Sequence, residues 1–287
     1  MKNRKIISFL VVIIIILGVA AASAGIFTRS GEGSYDYRSI RGNDITIYGQ
    51  GLYRHMSAGV AVQGIAQDYV TLFLAVPLLL LSLLKARGGS LRWRFVLAGI
   101  LNYFLVTYFM YLEMAMYNAM FLAYVVLLGS SFFALALVLF SFETGTLPAV
   151  FAQDTPVKFA GGFLIFNSII IALLWFSVVI PPLIDGSVIP ESVEHYTTLT
   201  VQGLDLALFL PISFISGLLF IRRLPMGYLM APVTLVFLSF LMTALVAKII
   251  AMAQDGASVF PAVVVIPLIL LVSLICMTIV LRKIKLH

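Results

Sequence analysis

Charge is what this sequence has least of. Only 10% of its 287 residues are Asp, Glu, Lys or Arg, whereas 62% are hydrophobic. A soluble domain carries about 25% charged residues. A surface this poor in charge would aggregate in water, so a soluble globular fold is excluded and lipid must be the solvent for much of the chain. Cysteine is nearly absent as well. Cys276 stands alone, which permits neither an internal disulfide framework nor a cysteine-based metal cluster, and it reads as a small buried apolar residue. Histidine occurs only at positions 55, 195 and 287. No His-x-x-x-His or His-Glu-x-x-His spacing is present, so a metal site would have to be assembled from residues far apart in sequence. The Gly-x-x-x-x-Gly-Lys phosphate loop, a dinucleotide fingerprint in a strand–helix context and the Gly-x-Ser-x-Gly nucleophile elbow are all missing, which argues against ATP-driven pumping by this chain alone.

What is there is length in apolar runs. A helix rises about 1.5 Å per residue, so about 20 apolar residues cross the ~30 Å hydrocarbon core. Runs of that kind predict spans near 6–27, 60–84, 95–114, 119–142, 159–183, 204–221, 228–252 and 260–281. In lipid the backbone must satisfy its own hydrogen bonds, which such runs do as helices. The expected fold class is therefore all-α, a polytopic transmembrane bundle of eight spans.

The basic residues give the orientation. Lys2, Arg4, Lys5, Lys85, Arg87, Arg92, Arg94, Lys158, Arg222, Arg223, Arg282, Lys283 and Lys285 fall on one side, accompanied only by Glu143 and Asp154. That side is read as cytoplasmic, with both termini on it. The net charge of +6 thus comes from loop positions and is no nucleic-acid footprint. Met1–Lys5 is also a basic n-region, and Ala22-Ser23-Ala24 resembles a signal-peptide cleavage site. The apolar run between them is long for a signal peptide, and a retained first helix is expected. The largest outer segment, about 28–57, holds two β-prone runs around Gly42-Asn43-Asp44 and predicts a small hairpin, with Gly49 and Gly51 as breakers.

The two halves resemble each other. His55, Val62-Gln63-Gly64 and Asp68 in the first answer to His195, Val201-Gln202-Gly203 and Asp205 in the second. Lys85 follows Asp68 by the same interval as Arg222 follows Asp205, and Phe121-x-Ala123-x-Val125-Val126 matches Phe260-x-Ala262-x-Val264-Val265. The matched spans run in the same direction. Two parallel four-helix units are expected, 1–142 and 143–287, related by an axis along the membrane normal. Gaps are needed, and Pro77 and Pro211 fall about one turn apart in this alignment.

Several strings carry a family resemblance. They are Gly51-Leu52-Tyr53-Arg54-His55, Gln67-Asp68, Gly89-Ser90-Leu91-Arg92, Glu194-His195-Tyr196-Thr197-Thr198-Leu199, Gln202-Gly203-Leu204-Asp205 with Pro211, and Gly227-Tyr228-Leu229. Together they resemble a group of bacterial multi-pass membrane proteins to which no activity is attached. The resemblance implies the same topology and a prokaryotic plasma membrane, and it brings over no catalytic residue.

Polar groups inside a membrane protein are costly and are the default functional candidates. Asp68 and Asp205 each lie seventeen residues from a basic boundary, roughly 25 Å of helix and so near the outer edge of the core. Glu113 falls at about the same level, with His55 and His195 slightly further out. Gln63, Gln67, Asp68 and Thr71 share an arc of ~140° on the second span. Thr198, Gln202 and Asp205 form a stripe on the sixth, and Asn102 and Glu113 are nearly in phase on the third. These positions predict an outward-facing polar vestibule between the units, with His55, Gln63, Gln67, Asp68, Asn102, Glu113, His195, Gln202 and Asp205 as ligand-binding residues. Within it His55, His195, Asp68 and Asp205 could hold a divalent metal such as Zn²⁺ or Mn²⁺, or the site could be proton-linked. The competing reading has the same residues at the water interface, capping helices.

Lys248, near the outer end of the seventh span, is expected either to pair with Glu113 or to snorkel. Tyr103, Tyr108, Tyr111, Tyr117 and Tyr124 read mainly as packing and interfacial anchors, Arg92 and Arg94 beside Trp93 as an anchor, and Ser57 as a helix cap. Three function classes stay open. One is a carrier or binding subunit for a small molecule or ion. Another is a membrane enzyme acting on a lipid or quinone at the outer leaflet. The third is an accessory subunit with a partner in a membrane complex.

Overall fold

The computed structural model describes residues 3–114 and 116–285. Eight helices are long and apolar enough to cross a membrane: α1 Arg4–Phe27, α2 Ala58–Arg87, α3 Leu91–Glu113, α4 Phe121–Leu139, α5 Val157–Val179, α6 Thr200–Ile221, α7 Pro225–Gln254 and α8 Ala262–Arg282. All eight predicted spans are found, with ends shifted by a few residues. The protein is a polytopic helical membrane protein. Phe9, Phe73, Phe132, Phe133, Phe166, Leu173 and Leu268 all stand exposed on the outside of the bundle. Such a coat suits a lipid solvent and would be untenable in water.

Packing follows the chain in two rings. In the first, α1 packs on α2, α2 on α3, α3 on α4, and α4 back on α1. In the second, α5 packs on α6, α6 on α7, α7 on α8, and α8 back on α5. α7 joins the rings by packing against both α2 and α3, and the buried core is densest on α3 and α7. Close approach is achieved with glycine. A methyl group at Gly99 of α3 would overlap the Val236 side chain of α7. A Cβ at Gly161 of α5 would lie 2.7 Å from the Gly217 carbonyl oxygen of α6, and one at Gly217 would lie 2.5 Å from that of Gly161. α1 is an integral wall of the first ring, burying Ile7, Val11, Ile14, Ala21, Ala22 and Ile26.

Neither α2 nor α6 is a uniform helix. Each contains one wide turn of π-helix, Thr71–Ala75 in α2 and Asp205–Phe209 in α6. In each the α-helical path resumes with a proline at its second residue, Pro77 or Pro211. A proline lacks the N–H that would close a regular turn and its ring crowds the preceding one, so a wide turn just before it is the natural relief.

The hairpin forms where expected. Tyr35–Arg38 (β1) pairs antiparallel with Asp44–Ile47 (β2), and Gly42, Gly49 and Gly51 take positive φ in the turns. The hairpin joins the 191–199 segment of the second half. Arg41 donates to the carbonyls of Glu194 (3.3 Å) and Tyr196 (3.0 Å), and the Ser57 amide donates to the Tyr196 hydroxyl (3.2 Å). Ser57 holds the N-cap position of α2, but its side chain caps no amide and lies instead 3.5 Å from that same hydroxyl.

At the opposite end the C-terminal segment is fastened to the loop before α5. The Ala152 amide donates to the Lys283 carbonyl (2.9 Å), the Lys285 amide to that of Val150 (3.0 Å), and Lys283 forms an ion pair with Asp154. Arg92 and Arg94 serve as loop ties: Arg92 donates to the carbonyls of Arg282 and Ile284, and Arg94 to that of Ser141.

Candidate functional site

Asp68 is 2% exposed and sits inside the first ring, on the last α-helical turn of α2 before the π turn. Two phenols donate to it: Tyr53, from the segment ahead of α2, to Oδ2 at 2.5 Å, and Tyr111 of α3 to Oδ1 at 3.1 Å. Tyr111 also lies 3.0 Å from the Gly64 carbonyl. Space for the carboxylate is left by Gly25 of α1, where a Cβ would overlap Asp68 Oδ2. Beside it Gln67 Nε2 donates to the Tyr103 hydroxyl (2.8 Å) and to Thr107 Oγ1 (3.0 Å), and Thr71 lies 3.0 Å from the same Tyr103 oxygen. Tyr103, Thr107 and Tyr111 therefore present one polar stripe of α3, at i, i+4 and i+8, to the Gln67 and Asp68 face of α2.

Asp205 opens the π turn of α6 and is half-buried. The Trp175 indole N–H of α5 donates to its Oδ2 at 2.7 Å. Lys248 of α7 interacts electrostatically with both Asp68 and Asp205. α7 packs on α2 and on α6, the helices that carry a carboxylate of each ring. It makes no ion pair within 4.0 Å with either carboxylate among the described residues. The expected pairing with Glu113 is not formed. Glu113 is exposed at the end of α3, whereas the carboxylates that act on Lys248 are Asp68 and Asp205.

The remaining predicted residues are placed as follows. Gln63 donates to the Gly59 carbonyl of its own helix at 3.0 Å. Asn102 is half-buried on α3, and Gln202 is half-buried three residues before Asp205. The two histidines do meet, at the hairpin end: His195 Nε2 lies 3.2 Å from the His55 carbonyl oxygen, and the His195 ring stands edge-on to Tyr37 at 6.1 Å. The predicted metal quartet is not assembled. The histidines are held in the turn between β2 and α2 and in the 191–199 segment, whereas Asp68 receives phenol donors inside the first ring. Among the described residues no three His, Cys, Asp or Glu side chains converge as a metal would need.

Sequence reasoning missed the partners. Tyr53, Tyr111 and Trp175 are the groups that hold the carboxylates. Tyr103, Tyr108 and Tyr124 are buried and Tyr111 is half-buried, whereas Tyr117 is exposed. The i, i+4, i+8 stripe on α3 was a usable signal. So was the tryptophan in the apolar stretch of α5, since a buried indole N–H seeks an acceptor.

Two further hollows flank this region. One, of about 490 Å³, lies between α2 and α7 and is lined by Val62, Ile65, Ala66, Tyr69, Ile250 and Asp255 among others. The second, of about 510 Å³, lies between the hairpin and the 191–194 turn and includes Asp44, Glu191 and Glu194. Against protein-family profiles, curated proteins and solved structures, the chain finds no match.

Proposed function

We propose that the protein is a carrier, or the binding subunit of one, for a small molecule or ion, with a polar site at the seam of two four-helix units. The observation that carries this reading is that Lys248 lies on α7, the helix packed against both α2 and α6, within electrostatic reach of Asp68 and Asp205, one carboxylate from each half. Ionisable groups within membrane spans are costly to keep and mark ligand or ion pathways. With both carboxylates ionised the trio has one negative charge in excess, which favours a cationic ligand or a proton. The equivalent helix contacts of the two rings, and the π turn followed by proline in both α2 and α6, support an internal repeat with its axis near α3 and α7. The distribution of basic loops supports an orientation with the termini inside and the hairpin outside, and the resemblance to bacterial multi-pass proteins supports a prokaryotic plasma membrane.

Uptake into proteoliposomes tests this reading, with a panel of small amines, amino acids and metal cations as solutes. Saturable uptake lost in an Asp68→Asn/Asp205→Asn double variant supports it, and unchanged uptake in that variant removes these residues from the mechanism.

A second reading rests on the groove between α2 and α7. Its walls are largely apolar, while Gln254 and Asp255 stand at one end, a pattern that suits an amphiphile. On this reading the protein is an enzyme acting on a lipid or quinone at the outer leaflet. Mass spectrometry of membrane lipids incubated with the protein would show a product, and none across a broad panel would count against it.

A further inference from the structure

The seam between α2 and α7 is not filled along its whole length. Toward the hairpin end small side chains meet across it, Ala66 on α2 and Ala247 and Ala251 on α7, and they leave the hollow of about 490 Å³. Val62, Ile65, Ala66 and Tyr69 lie at i, i+3, i+4 and i+7 on α2. Ala247, Ile250, Ala251 and Gln254 repeat that spacing on α7. The spacing is that of one helix face. Two such stripes lining one hollow make a groove that follows both helices for about 10 Å, at ~1.5 Å per residue.

The groove opens outward. Tyr69 and Ile250 on its rims are 46% and 53% exposed, so in a membrane they meet lipid. A trough along helices that cross the bilayer also runs along its acyl chains. The inner end is marked by Tyr69, stacked on Phe73 at 6.0 Å, just before the π turn of α2. The hairpin end is polar and carries one sign of charge. Gln254 is the last residue of α7 and Asp255 its C-cap. Asp255 is the one charged group among the lining residues, and among the described residues it forms no ion pair. The carbonyl end of α7 adds to the negative potential there.

We infer that this groove binds a membrane phospholipid with an ammonium headgroup, one acyl chain lying in the trough and the ammonium against Asp255. The alanine and aliphatic stripes suit the chain. Gln254, next to the carboxylate, brings amide N–H donors for the phosphate or ester oxygens that lie between chain and ammonium. A phospholipid with an anionic headgroup meets Asp255 as a like charge. A quinone fills the trough but leaves the carboxylate without a counter-charge. The inference rests on the groove of the lipid-enzyme reading and names the class of lipid it takes. The two are separable, because a lipid retained without any product removes the enzyme and leaves the binding, whereas a product from a protein that retains no such lipid does the reverse.

Native mass spectrometry of the detergent-solubilised protein tests the proposal, after incubation with equimolar phosphatidylethanolamine and phosphatidylglycerol of matched acyl chains. The expected result is a one-lipid adduct in which phosphatidylethanolamine is favoured about fivefold, the upper end of what one exposed charge contact supplies. Asp255→Lys should reverse the preference; the residue is exposed, so its replacement leaves the fold intact. Ala251→Phe fills the trough and should lose the adduct of both lipids. Should that variant fail to fold, Ala247→Phe fills the same trough from the next turn of α7. Equal retention of the two lipids by the wild type overturns the proposal. So does a preference unchanged in Asp255→Lys, an adduct that survives the filled groove, or an uncharged quinone that displaces phosphatidylethanolamine at equal concentration.

Discussion

The His195 ring reaches the main chain of His55: its Nε2 lies 3.2 Å from the His55 carbonyl oxygen, so Nε2–H is the donor. The His55 ring is engaged separately, accepting from Arg54 Nε at 3.1 Å. Of the two imidazoles, only that of His195 adds to the hydrogen bonds between the halves here. His195→Ala should loosen the hairpin at a cost of about 1 kcal/mol, seen as faster amide exchange over residues 35–47, whereas His55→Ala should leave that exchange near wild type. Equal loosening by both would mean that the His55 ring does more than these contacts give it.

Asp68 and Tyr53 should be strongly coupled. Their 2.5 Å hydrogen bond is buried, and residues sharing one buried network typically couple by about 0.5–3 kcal/mol. In a double-mutant cycle, Asp68→Asn and Tyr53→Phe should each lower thermal stability, and the double variant should lose clearly less than their sum. Asp205→Asn, whose carboxylate is half-buried and receives one indole donor, should cost less than Asp68→Asn. Strict additivity would remove the hydrogen bond from the account.

The spans were legible because lipid imposes one rule along the whole chain, and about twenty apolar residues in a row satisfy it in only one way. The hairpin was legible because Gly42-Asn43-Asp44 is local turn chemistry. The carboxylates stood out by their scarcity. Their partners did not, because helical phase says which residues share a face and leaves open which neighbouring helix that face meets. Lys248 shows this. Glu113 was expected to pair with it, but α7 packs on α2 and α6, and the lysine interacts with Asp68 and Asp205 instead. The π turns displaced the phase of α2 and α6 in the same manner. An alignment on Asp68 and Asp205 puts Pro77 and Pro211 out of step, whereas the two wide turns each end just before their proline.

Trp175 makes Asp205 optically visible. The chain has two tryptophans, so Trp93→Phe isolates the indole that donates to Asp205. Asp205→Asn in that background should shift the emission maximum, since the indole loses a charged acceptor. Asp68→Asn, whose carboxylate Trp175 does not contact, should leave it close to where it was. An emission insensitive to Asp205→Asn would place the indole elsewhere.

The C-terminal tie should be acid-labile. The Lys283 hydrogen bond beside Asp154 holds its carboxyl below the usual range. A depressed carboxyl stabilises the state that depresses it at pH values above the unfolded value of about 3.9, and the contribution is lost as pH falls through the lower, folded value. The pair is exposed, so the global effect is small and the readout should be local. Exchange of the Ala152 and Lys285 amides, which bond the paired segment, should accelerate below about pH 4. In Asp154→Asn it should be fast throughout, with no acid step. An acid step retained in that variant would assign it to another group.

The seam between the halves should be set by Gly99. A methyl there would overlap the Val236 side chain, and it would stand 3.0 Å from the Val233 carbonyl oxygen, which cannot move aside without moving α7. Gly99→Ala should therefore push α3 and α7 apart and cost about 1–3 kcal/mol, as overpacking usually does. α7 also carries Lys248, so the displacement reaches the two carboxylates although Gly99 touches neither. Val236→Gly removes both the Cβ and the Cγ that collide, and in the double variant it should restore part of the lost thermal stability while costing stability alone. Rescue by Val236→Gly together with recovery of the Trp175 emission would tie the seam to the site. Rescue of stability with the emission still displaced would show that the Val233 carbonyl, rather than the valine side chain, governs where α7 sits.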